Sequence, residues 1–393
     1  MSSPKTAAIL EVDEPRSGAQ QTRYHVCSKC IMDTTDPDIA FDDDGVCNHC
    51  HRYEQVAKMR LFEGQENKHK LDELINEITA RGRRKEYDCI IGVSGGVDST
   101  YVAYVVKHLG LRPLAVHLDN GWDSELAVGN IENTLKKLNI DLYTYVIDWE
   151  EFKDLQLSFL RASTPDGEIP TDHAILATLY RVASQHGVRY IILGTNVISE
   201  AIMPLKWGYG YFDLKYIENI HKRFGSRKLS TFPRVGLPQL FYYRVIKRVQ
   251  MVSILNYLSY DKQQAMKTIQ EELGWVNYGG KHHESIYTRF FQAYILPRKF
   301  NIDKRKAHYS NLVCSGQMTR EQALDEMKNP AFSPDKLRDD REYVIKKLGI
   351  SEEKFERIMS SAPQSFQDYP NHYRLTERIK KAKLLPTLLL GRR

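Results

Sequence analysis

Short apolar runs alternate with longer amphipathic stretches through the middle of the chain. Four apolar runs predict β-strands, and these are 89–93, 114–118, 142–147 and 190–193. Stretches with a helical period lie between them, at 99–109, 124–138 and 173–186. Short strands separated by helices of about ten or more residues predict a parallel sheet with helices on both faces. The core is therefore predicted to be an α/β domain.

The pattern changes on both sides of this core. Residues 52–87 are polar and charged, and the apolar positions that lie on one helix face there are Leu71, Leu74, Ile75 and Ile78. From 204 to 240 no period is visible, and aromatic residues are interleaved with lysines and arginines. We interpret 204–240 as an insertion or lid.

Helix signals return after Arg244. Thr319 with Gln322 predicts a capping box, and Ser333 and Ser351 are typical starts of two further helices. The predicted organisation is a disordered tail (1–22), a zinc-binding module (23–56), the parallel-sheet core (57–310) and a C-terminal helical region (311–393).

Composition excludes few classes of protein. The chain has 393 residues, 42% of them hydrophobic, with a formal charge of +6 and a pI near 8.8. This balance suits phosphorylated ligands or RNA, and a lysine-rich solvated surface explains it as well. No apolar run approaches the length of a membrane span, and the N-terminus lacks a signal-peptide core. We expect a cytoplasmic protein without membrane insertion.

Four of the six cysteines form two C-x-x-C pairs, Cys27 with Cys30 and Cys47 with Cys50. Two such pairs complete a tetrahedral sulfur shell and predict a structural Zn²⁺ site. A disulfide or redox pair is the alternative, but disulfides fit poorly with a cytoplasmic chain. A nearby histidine, His25, His49 or His51, is an alternative fourth ligand.

The first predicted strand ends in a glycine turn, Ser94-Gly95-Gly96-Val97-Asp98-Ser99. Glycines let backbone N–H groups approach an anion, and the following helix directs its positive end to the same place. The lysine and the spacing of a P-loop are absent. Asp98 suits Mg²⁺ bridging the phosphates.

This motif resembles the PP-loop of the ATP pyrophosphatases, a superfamily with an adenine nucleotide alpha hydrolase-like fold. The resemblance implies cleavage of ATP between the α- and β-phosphates, with pyrophosphate held by residues 94–99. Gly194-Thr195-Asn196 with Glu200 looks like a segment of the NAD synthetases, which would make Glu200 a second Mg²⁺ ligand; a helix-terminal acid is the alternative. Leu118 and Asp119 end the second strand, where relatives place adenosine, although turn chemistry also explains an Asp there.

The stretch 278–324 is dense in charged residues and histidines, including Lys281, His282, His283 and Arg289. Together with the cysteine pairs and the glycine turn, it resembles the N-acetyl sugar amidotransferases of bacterial surface-polysaccharide biosynthesis. The resemblance covers roughly residues 24 to 330, and the final sixty residues add nothing to it.

The resemblance implies that a nucleotide-linked N-acetyl sugar is converted to an acetamidino sugar. ATP would adenylate the acetamido oxygen, and ammonia would then displace AMP. Lys281 is the candidate to stabilise phosphate charge, and one of His282 and His283 to handle protons. The further substrate candidates are Asp172, His173, Lys206 with Trp207 and Tyr209, and Arg289. Helix capping explains 170–173 equally well, and Lys281 also fits a solvated surface lysine.

A source of ammonia is missing, since four cysteines are committed to metal, Cys89 lies in a strand and Cys314 has only general polar neighbours. We therefore expect a separate glutaminase subunit, the partner that the resemblance implies. The alternative functions are a PP-loop tRNA-modifying enzyme, of thiolase or lysidine type, and a non-catalytic nucleotide-binding regulator. Acidic and basic residues are mixed throughout, so we expect no nucleic-acid partner.

Overall fold

A five-stranded parallel sheet forms the centre of the protein. The computed structural model describes residues 24–61, 64–278 and 284–381, so the predicted tail at 1–22 lies outside the described residues. The strands are β1 (Cys89–Gly92), β2 (Pro113–Asp119), β3 (Asp141–Val146), β4 (Tyr190–Leu193) and β5 (Gln250–Ser253). They lie in the order β3-β2-β1-β4-β5, and every pair is parallel. The predicted α/β class and parallel sheet are confirmed.

Helices surround this sheet and precede it. They are α1 (Asn48–Arg60), α2 (Gly64–Gly82), α3 (Val97–His108), α4 (Glu125–Leu138), α5 (Trp149–Ala162), α6 (Ile169–Gln185), α7 (Val197–Glu200), α8 (Leu214–Phe224), α9 (Leu237–Phe241) and α10 (Lys262–Leu273). Short 3-10 turns lie at Leu205–Trp207 and Ile254–Tyr257, and a π-helical turn at Tyr242–Ile246.

The two faces of the sheet are buried under different helices. Cys89 and Ile91 belong to the apolar cluster that contains α3, α4 and α10, whereas Ile90 belongs to the cluster that contains α6. Successive strand residues point to opposite faces, so an unbroken apolar run is what a strand covered on both sides requires.

The strand order creates a switch point between β1 and β4. The chain runs outward from β1 to β2 and β3 and then returns to place β4 on the other side of β1. In open parallel sheets a crevice forms at such a point, beyond the carboxyl ends of the strands. The glycine turn follows β1 and Gly194 follows β4, so both motifs lie at this crevice.

The region 204–240 differs from the prediction of an unpatterned lid. It contains α8, whose buried residues Tyr216, Ile217 and Ile220 pack in the main core, largely against α5. The following Ser/Thr/Pro stretch is held by the Glu151 carboxylate, which accepts hydrogen bonds from the backbone N–H groups of residues 230–232. The aromatic residues therefore fill a core.

The C-terminal region is helical as predicted. Its helices are α11 (Ile286–Phe290), α12 (Leu296–Phe300), α13 (Lys304–Cys314), α14 (Arg320–Lys328), α15 (Pro334–Leu348), α16 (Glu352–Ser360) and α17 (Tyr373–Lys381), with a π-helical turn at Phe291–Ile295 and a 3-10 turn at Phe366–Asp368. The predicted starts are confirmed at Thr319, which forms a capping box with Gln322, and at Ser333 and Ser351.

Candidate functional site

A cavity of about 340 Å³ lies at the switch point, beside the glycine turn. It brings together eight residues that the sequence analysis singled out, namely Ser94, Gly96, Val97, Asp98, Ser99, Gly194, Thr195 and Glu200. These residues come from two separate stretches of chain, and the parallel pairing of β1 with β4 makes them neighbours.

The glycine turn presents donors to this cavity. The Ser99 hydroxyl accepts a hydrogen bond from the Ser94 backbone N–H at 3.2 Å and donates to the Gly96 carbonyl at 3.1 Å. Helix α3 begins directly after Gly96, which has no side chain with which to cap the first turn. The N–H groups of that turn are therefore suited to bind an anion, and the helix dipole favours negative charge there.

Gly95 shapes the turn and does not line the cavity. Its φ is +78°, a left-handed conformation that favours glycine, and a Cβ atom here would lie 2.6 Å from the Ala127 carbonyl oxygen. Trp275 donates from Nε1 to the Gly95 carbonyl at 2.8 Å. Gly95 thus has a conformational role in the turn, and its direct contact with nucleotide stays a prediction.

Two carboxylates, Asp98 and Glu200, line the same cavity. The Tyr260 hydroxyl donates a hydrogen bond to Asp98. Burial raises the pKa of Tyr260, and the negative charges of Asp98 and Glu200 raise it further, so this phenol stays a hydrogen-bond donor. Carboxylate oxygens beside a phosphate-binding turn are the ligands that Mg²⁺ prefers, and this pair fits that ion.

The described cavity wall has six further residues to which the sequence motifs assigned no role, namely Lys262, Met266, Trp275, Asn277, Tyr278 and Glu284. Lys262 is the first residue of α10, and in the sequence it looks like an ordinary helix start. A Cβ atom on Gly96 would lie 3.2 Å from both the Tyr278 hydroxyl and the Glu284 carboxylate. Burial, followed by the charge of Glu284, raises the pKa of Tyr278.

Tyr278 and Glu284 flank the predicted catalytic residues. Lys281, His282 and His283 themselves lie outside the described residues. On the far side, the Glu284 carbonyl accepts a hydrogen bond from the Ser124 backbone N–H at 2.8 Å. The described chain on each side of the predicted catalytic residues therefore ends in the wall of the cavity.

Three other predicted nucleotide contacts have local structural roles. Asn196 caps α7, accepting from the Ser199 N–H at 2.9 Å. The Asp119 carboxylate accepts from the Gly121 N–H at 2.8 Å, which is turn chemistry, and Leu118 is buried beside it. None of the three side chains lines the described wall of the cavity.

The predicted substrate residue His173 is corrected by the structure. Its ring is fully buried, with Nδ1 2.6 Å from the Tyr211 carbonyl oxygen and Nε2 accepting from the Val235 N–H at 3.1 Å. Burial lowers its pKa to about 4. Both ring nitrogens are used by the fold, so His173 is a structural histidine. The adjacent Asp172 is exposed on the first turn of α6.

The proposed aromatic contacts at 206–209 are corrected as well. Trp207 and Tyr209 are buried in the core, and the Tyr209 hydroxyl donates to Asp213 at 2.7 Å. Lys206 forms a partly exposed ion pair with Asp38 at 2.7 Å. Buried rings in the core cannot stack on a substrate without unpacking it.

The four paired cysteines converge as predicted. All four side chains are fully buried, and their Sγ atoms lie within 4.8 Å of one another. Individual separations are 3.7 Å for Cys30–Cys47 and 3.8 Å for Cys27–Cys50, and neither pair is bonded. Tetrahedral Zn–S bonds of about 2.3 Å put sulfurs about 3.8 Å apart, so the residues fit a closed zinc site.

The three nearby histidines contact other groups. His49 lies 2.6 Å from the Asp36 carboxylate and His51 2.7 Å from Asp42, while the His25 ring packs edge-on against Phe41. The four cysteines therefore form the cluster without a histidine.

A fifth thiol lies beside this cluster. Cys314 Sγ, at the end of α13, is 3.8 Å from Cys50 Sγ. In the sequence Cys314 has only general polar neighbours. Its proximity to Cys50 is not visible there, because 264 positions separate the two cysteines. Cys314 does not line the described wall of the cavity beside the glycine turn.

Helix α13 and its neighbours connect the two sites. Ser310 accepts from the Ile31 N–H at 3.2 Å within the cysteine module, and Arg320 donates to the carbonyls of Cys27 and Cys30. The buried Asn311 accepts from the Ile202 N–H at 2.8 Å, two residues after Glu200. The contacts of the cysteine cluster with α13 therefore extend to the segment that carries a cavity carboxylate.

Within the described part of the chain, no helix combines the length and the apolar character needed to cross a bilayer.

Two family profiles match separate parts of the chain. The NAD synthase profile matches residues 68–245, which include the nucleotide cavity's glycine turn and Glu200. A second profile, described as LPS biosynthesis protein WbpG-like, C-terminal domain, matches residues 284–383. The second match extends well beyond residue 330, so the expectation that the final sixty residues add nothing was wrong. No curated protein matches the chain significantly.

Two solved structures are distant matches. The predicted subunit of tRNA methyltransferase from Methanocaldococcus jannaschii DSM is 14% identical, with 47% of this chain and 76% of that chain covered and a TM-score of 0.27. NMN synthetase from Francisella tularensis is 18% identical, with 58% and 93% covered and a TM-score of 0.28. Scores this low support no conclusion. The chain thus joins an NAD synthase-like PP-loop domain to a WbpG-like C-terminal domain, and the two matches together support the lipopolysaccharide-biosynthesis amidotransferase family within the PP-loop superfamily.

Proposed function

We propose that the chain is an ATP-dependent, AMP-forming carbon–nitrogen ligase that converts an acetamido group of a nucleotide-linked sugar to an acetamidino group. The observation that carries this proposal is the cavity at the switch point, whose wall contains a helix start without a side-chain cap together with the carboxylates of Asp98 and Glu200. Such a site suits the pyrophosphate leaving group of an adenylation better than a terminal phosphate transfer, because the P-loop lysine is absent.

The chemistry proceeds in two steps. The acetamido oxygen attacks the α-phosphorus of ATP, the bond to the β-phosphate breaks, and pyrophosphate leaves. Ammonia then adds to the activated carbon and loses a proton, and the C–O bond breaks to release AMP. The amide oxygen ends on the phosphate of AMP, so the atoms balance without water or a redox partner.

The residues of the cavity, and the predicted catalytic residues 281–283, have distinct roles in this proposal. The N–H groups at the start of α3 bind the pyrophosphate portion, and the hydroxyls of Ser94 and Ser99, which bond within the turn in this structure, would turn outward to join them. Asp98 and Glu200 would hold Mg²⁺, which screens the phosphate charge when bound. Lys281 stabilises the charge that develops during transfer, and one of His282 and His283 takes the proton from ammonia.

The cysteine cluster has a structural role in this proposal. A closed shell of four sulfurs leaves no position for substrate, so Zn²⁺ at Cys27, Cys30, Cys47 and Cys50 stabilises the fold. This role agrees with the contacts that join the cluster to α13.

Ammonia comes from a separate glutaminase subunit in this proposal. The amide nitrogen of glutamine is not nucleophilic, and its release needs an activated thiol. Cys314 lies against Cys50 of the metal cluster, and Cys89 is fully buried in β1. Neither position suits a nucleophile that must meet glutamine.

The test supplies the purified chain with ATP, magnesium and a panel of uridine-diphosphate diacetamido sugars. Ammonium salts should support pyrophosphate release together with a product in which NH replaces one oxygen, measured by mass spectrometry, whereas glutamine should not. Adding the cognate glutaminase should restore the use of glutamine. Glutamine-dependent turnover by this chain alone, lost in Cys314→Ala, would show a nucleophile within the chain.

The same assay separates the alternative functions. Bulk tRNA replaces the sugar in a parallel reaction, with ATP consumption measured as pyrophosphate. Pyrophosphate release that depends on tRNA, and not on any sugar, would contradict the sugar assignment and favour a tRNA-modifying enzyme. Nucleotide binding without any pyrophosphate release would favour a regulator.

A further inference from the structure

A second cavity, of about 410 Å³, adjoins the nucleotide cavity. Lys262 lines both cavities, and the adjacent residues Ser199 and Glu200 of α7 line one each. Most of the remaining wall comes from 289–332, inside the part of the chain that matches the WbpG-like domain. The second cavity therefore combines the PP-loop domain with the family-specific domain.

The wall of the second cavity is rich in cations. Its described lining contains four cations, Lys262, Arg289, Lys304 and Arg305, and one carboxylate, Asp303, which pairs with Arg305 at 2.7 Å. The carboxylates that pair with Arg289 and Lys304 do not line the cavity, so the wall of this concave site presents more cationic than anionic groups and favours a phosphate over a neutral sugar.

Two of these cations are held in place by carboxylates that do not line the cavity. Arg289 donates from Nε and Nη2 to Asp340, at 2.7 and 2.5 Å, and the two side chains are only 10% and 8% exposed. Lys304 pairs with Glu168 at 2.7 Å. Such pairs fix the orientation of the cationic groups before a ligand arrives, so that less side-chain entropy is lost on binding.

Lys262 is positioned by the C-terminal region. Its backbone N–H donates to Gln317 Oε1 at 3.2 Å, and Gln317 Nε2 donates to the Tyr260 carbonyl at 2.7 Å. Tyr260 in turn donates to Asp98 in the nucleotide cavity. Gln317 thus links the lysine at the junction of the two cavities to the carboxylate of the first.

We infer that the second cavity binds the diphosphate of the acceptor, with Lys262 contacting both the acceptor and ATP. The inference rests on the proposed function, since an acceptor oxygen must reach the α-phosphate of ATP bound in the adjacent cavity. A diphosphate can come from a nucleotide sugar or from a polyprenyl-linked sugar. The cations recognise what the two sources share, and the test separates them.

The test measures binding of uridine diphosphate and of farnesyl diphosphate by calorimetry, with the full chain saturated by a non-hydrolysable α,β-methylene ATP analogue. Arg305→Gln should weaken the diphosphate by about tenfold or more, the effect of one charged hydrogen bond, and leave the affinity for the analogue unchanged. Lys262→Met should lower the affinity both for the diphosphate and for the ATP analogue. Lys267→Gln, an exposed lysine on the same helix, is the matched control and should change neither.

The two diphosphates in this experiment give distinct outcomes. Binding of only uridine diphosphate identifies a nucleotide-linked acceptor, and binding of only farnesyl diphosphate a lipid-linked one, provided that Arg305→Gln weakens it. Equal binding by the wild type and a folded Arg305→Gln, or no diphosphate binding beside the ATP analogue, would overturn the inference. If Arg305→Gln does not fold, Lys262→Met decides in the same way. Failure of every sugar to form amidine would refute the proposed function while leaving a measured diphosphate site intact.

Discussion

The cysteine cluster and the glycine turn are both built from short motifs, yet they are opposite kinds of site. In the cluster, four side chains supply the contacts and all are fully buried. In the turn, backbone N–H groups are the proposed ligand donors, and Ser94, Asp98 and Ser99 remain half-buried at an open cavity. A closed side-chain site can only stabilise the fold, whereas an open backbone site can bind and release a ligand.

The comparison predicts that damage to the two sites will be separable. A change at the cluster should appear as lost stability, and a change at the cavity as lost turnover in a folded protein. The contacts of α13 and Gln317 join the two regions, so a change at Gln317 tests how far that separation holds.

The largest expected effect is that of Cys27→Ser or Cys47→Ser. Zinc binding contributes about 10 kcal/mol or more to the folding of small zinc modules, as much as the whole stability of many domains. Each variant should lose zinc and fail to give a stable fold, measured by metal analysis and thermal unfolding. His51→Gln is the control and should keep its zinc, because His51 contacts Asp42. A fully folded wild-type protein that contains no zinc would contradict the assignment.

The next effect is that of Asp98→Asn at the open site. The substitution keeps the shape of the side chain and removes the charge that we propose holds Mg²⁺. Pyrophosphate release should fall by about 100-fold or more, while the unfolding temperature changes little. The exposed Asp72→Asn on α2 should leave turnover unchanged. Normal turnover in Asp98→Asn would remove Asp98 from the proposed metal site.

The smallest expected effect belongs to Gln317→Leu, which deletes both bonds that hold the Tyr260–Lys262 segment. Loss of two such bonds costs about 1–2 kcal/mol, so turnover should fall by about tenfold while zinc content stays at the wild-type level. The control is Gln263→Leu, an exposed position on α10 next to Lys262. A loss of zinc in Gln317→Leu would show that the two regions are not separable.

Much of the sheet was predictable, but its edges and flanking helices were not. Strand β5 was missed because only Val252 is buried there, and an edge strand needs no continuous apolar run. Helix α8 was interpreted as part of a lid, since its aromatic and basic residues resemble a surface. Its apolar face, with Ile217 and Ile220, became visible only when α5 was seen to cover it.

The candidate site shows the same division. Ser94, Asp98, Gly194 and Glu200 were predicted from motifs and line one cavity. His173 was also predicted, from its position at a helix start, and it is a buried structural residue. Sequence position cannot separate these cases, because burial depends on what packs against a side chain.

The sequence by itself determined the α/β class, the cysteine cluster and the anion-binding turn. Each follows from residues close together in the chain, where covalent geometry alone limits which groups can meet. Only the tertiary structure decided that Lys262 joins two cavities, that Cys314 lies beside Cys50, and that Arg320 binds the carbonyl of Cys27 across 293 positions. Those contacts depend on how distant segments pack, and the sequence pattern of one segment does not identify the segment that packs against it.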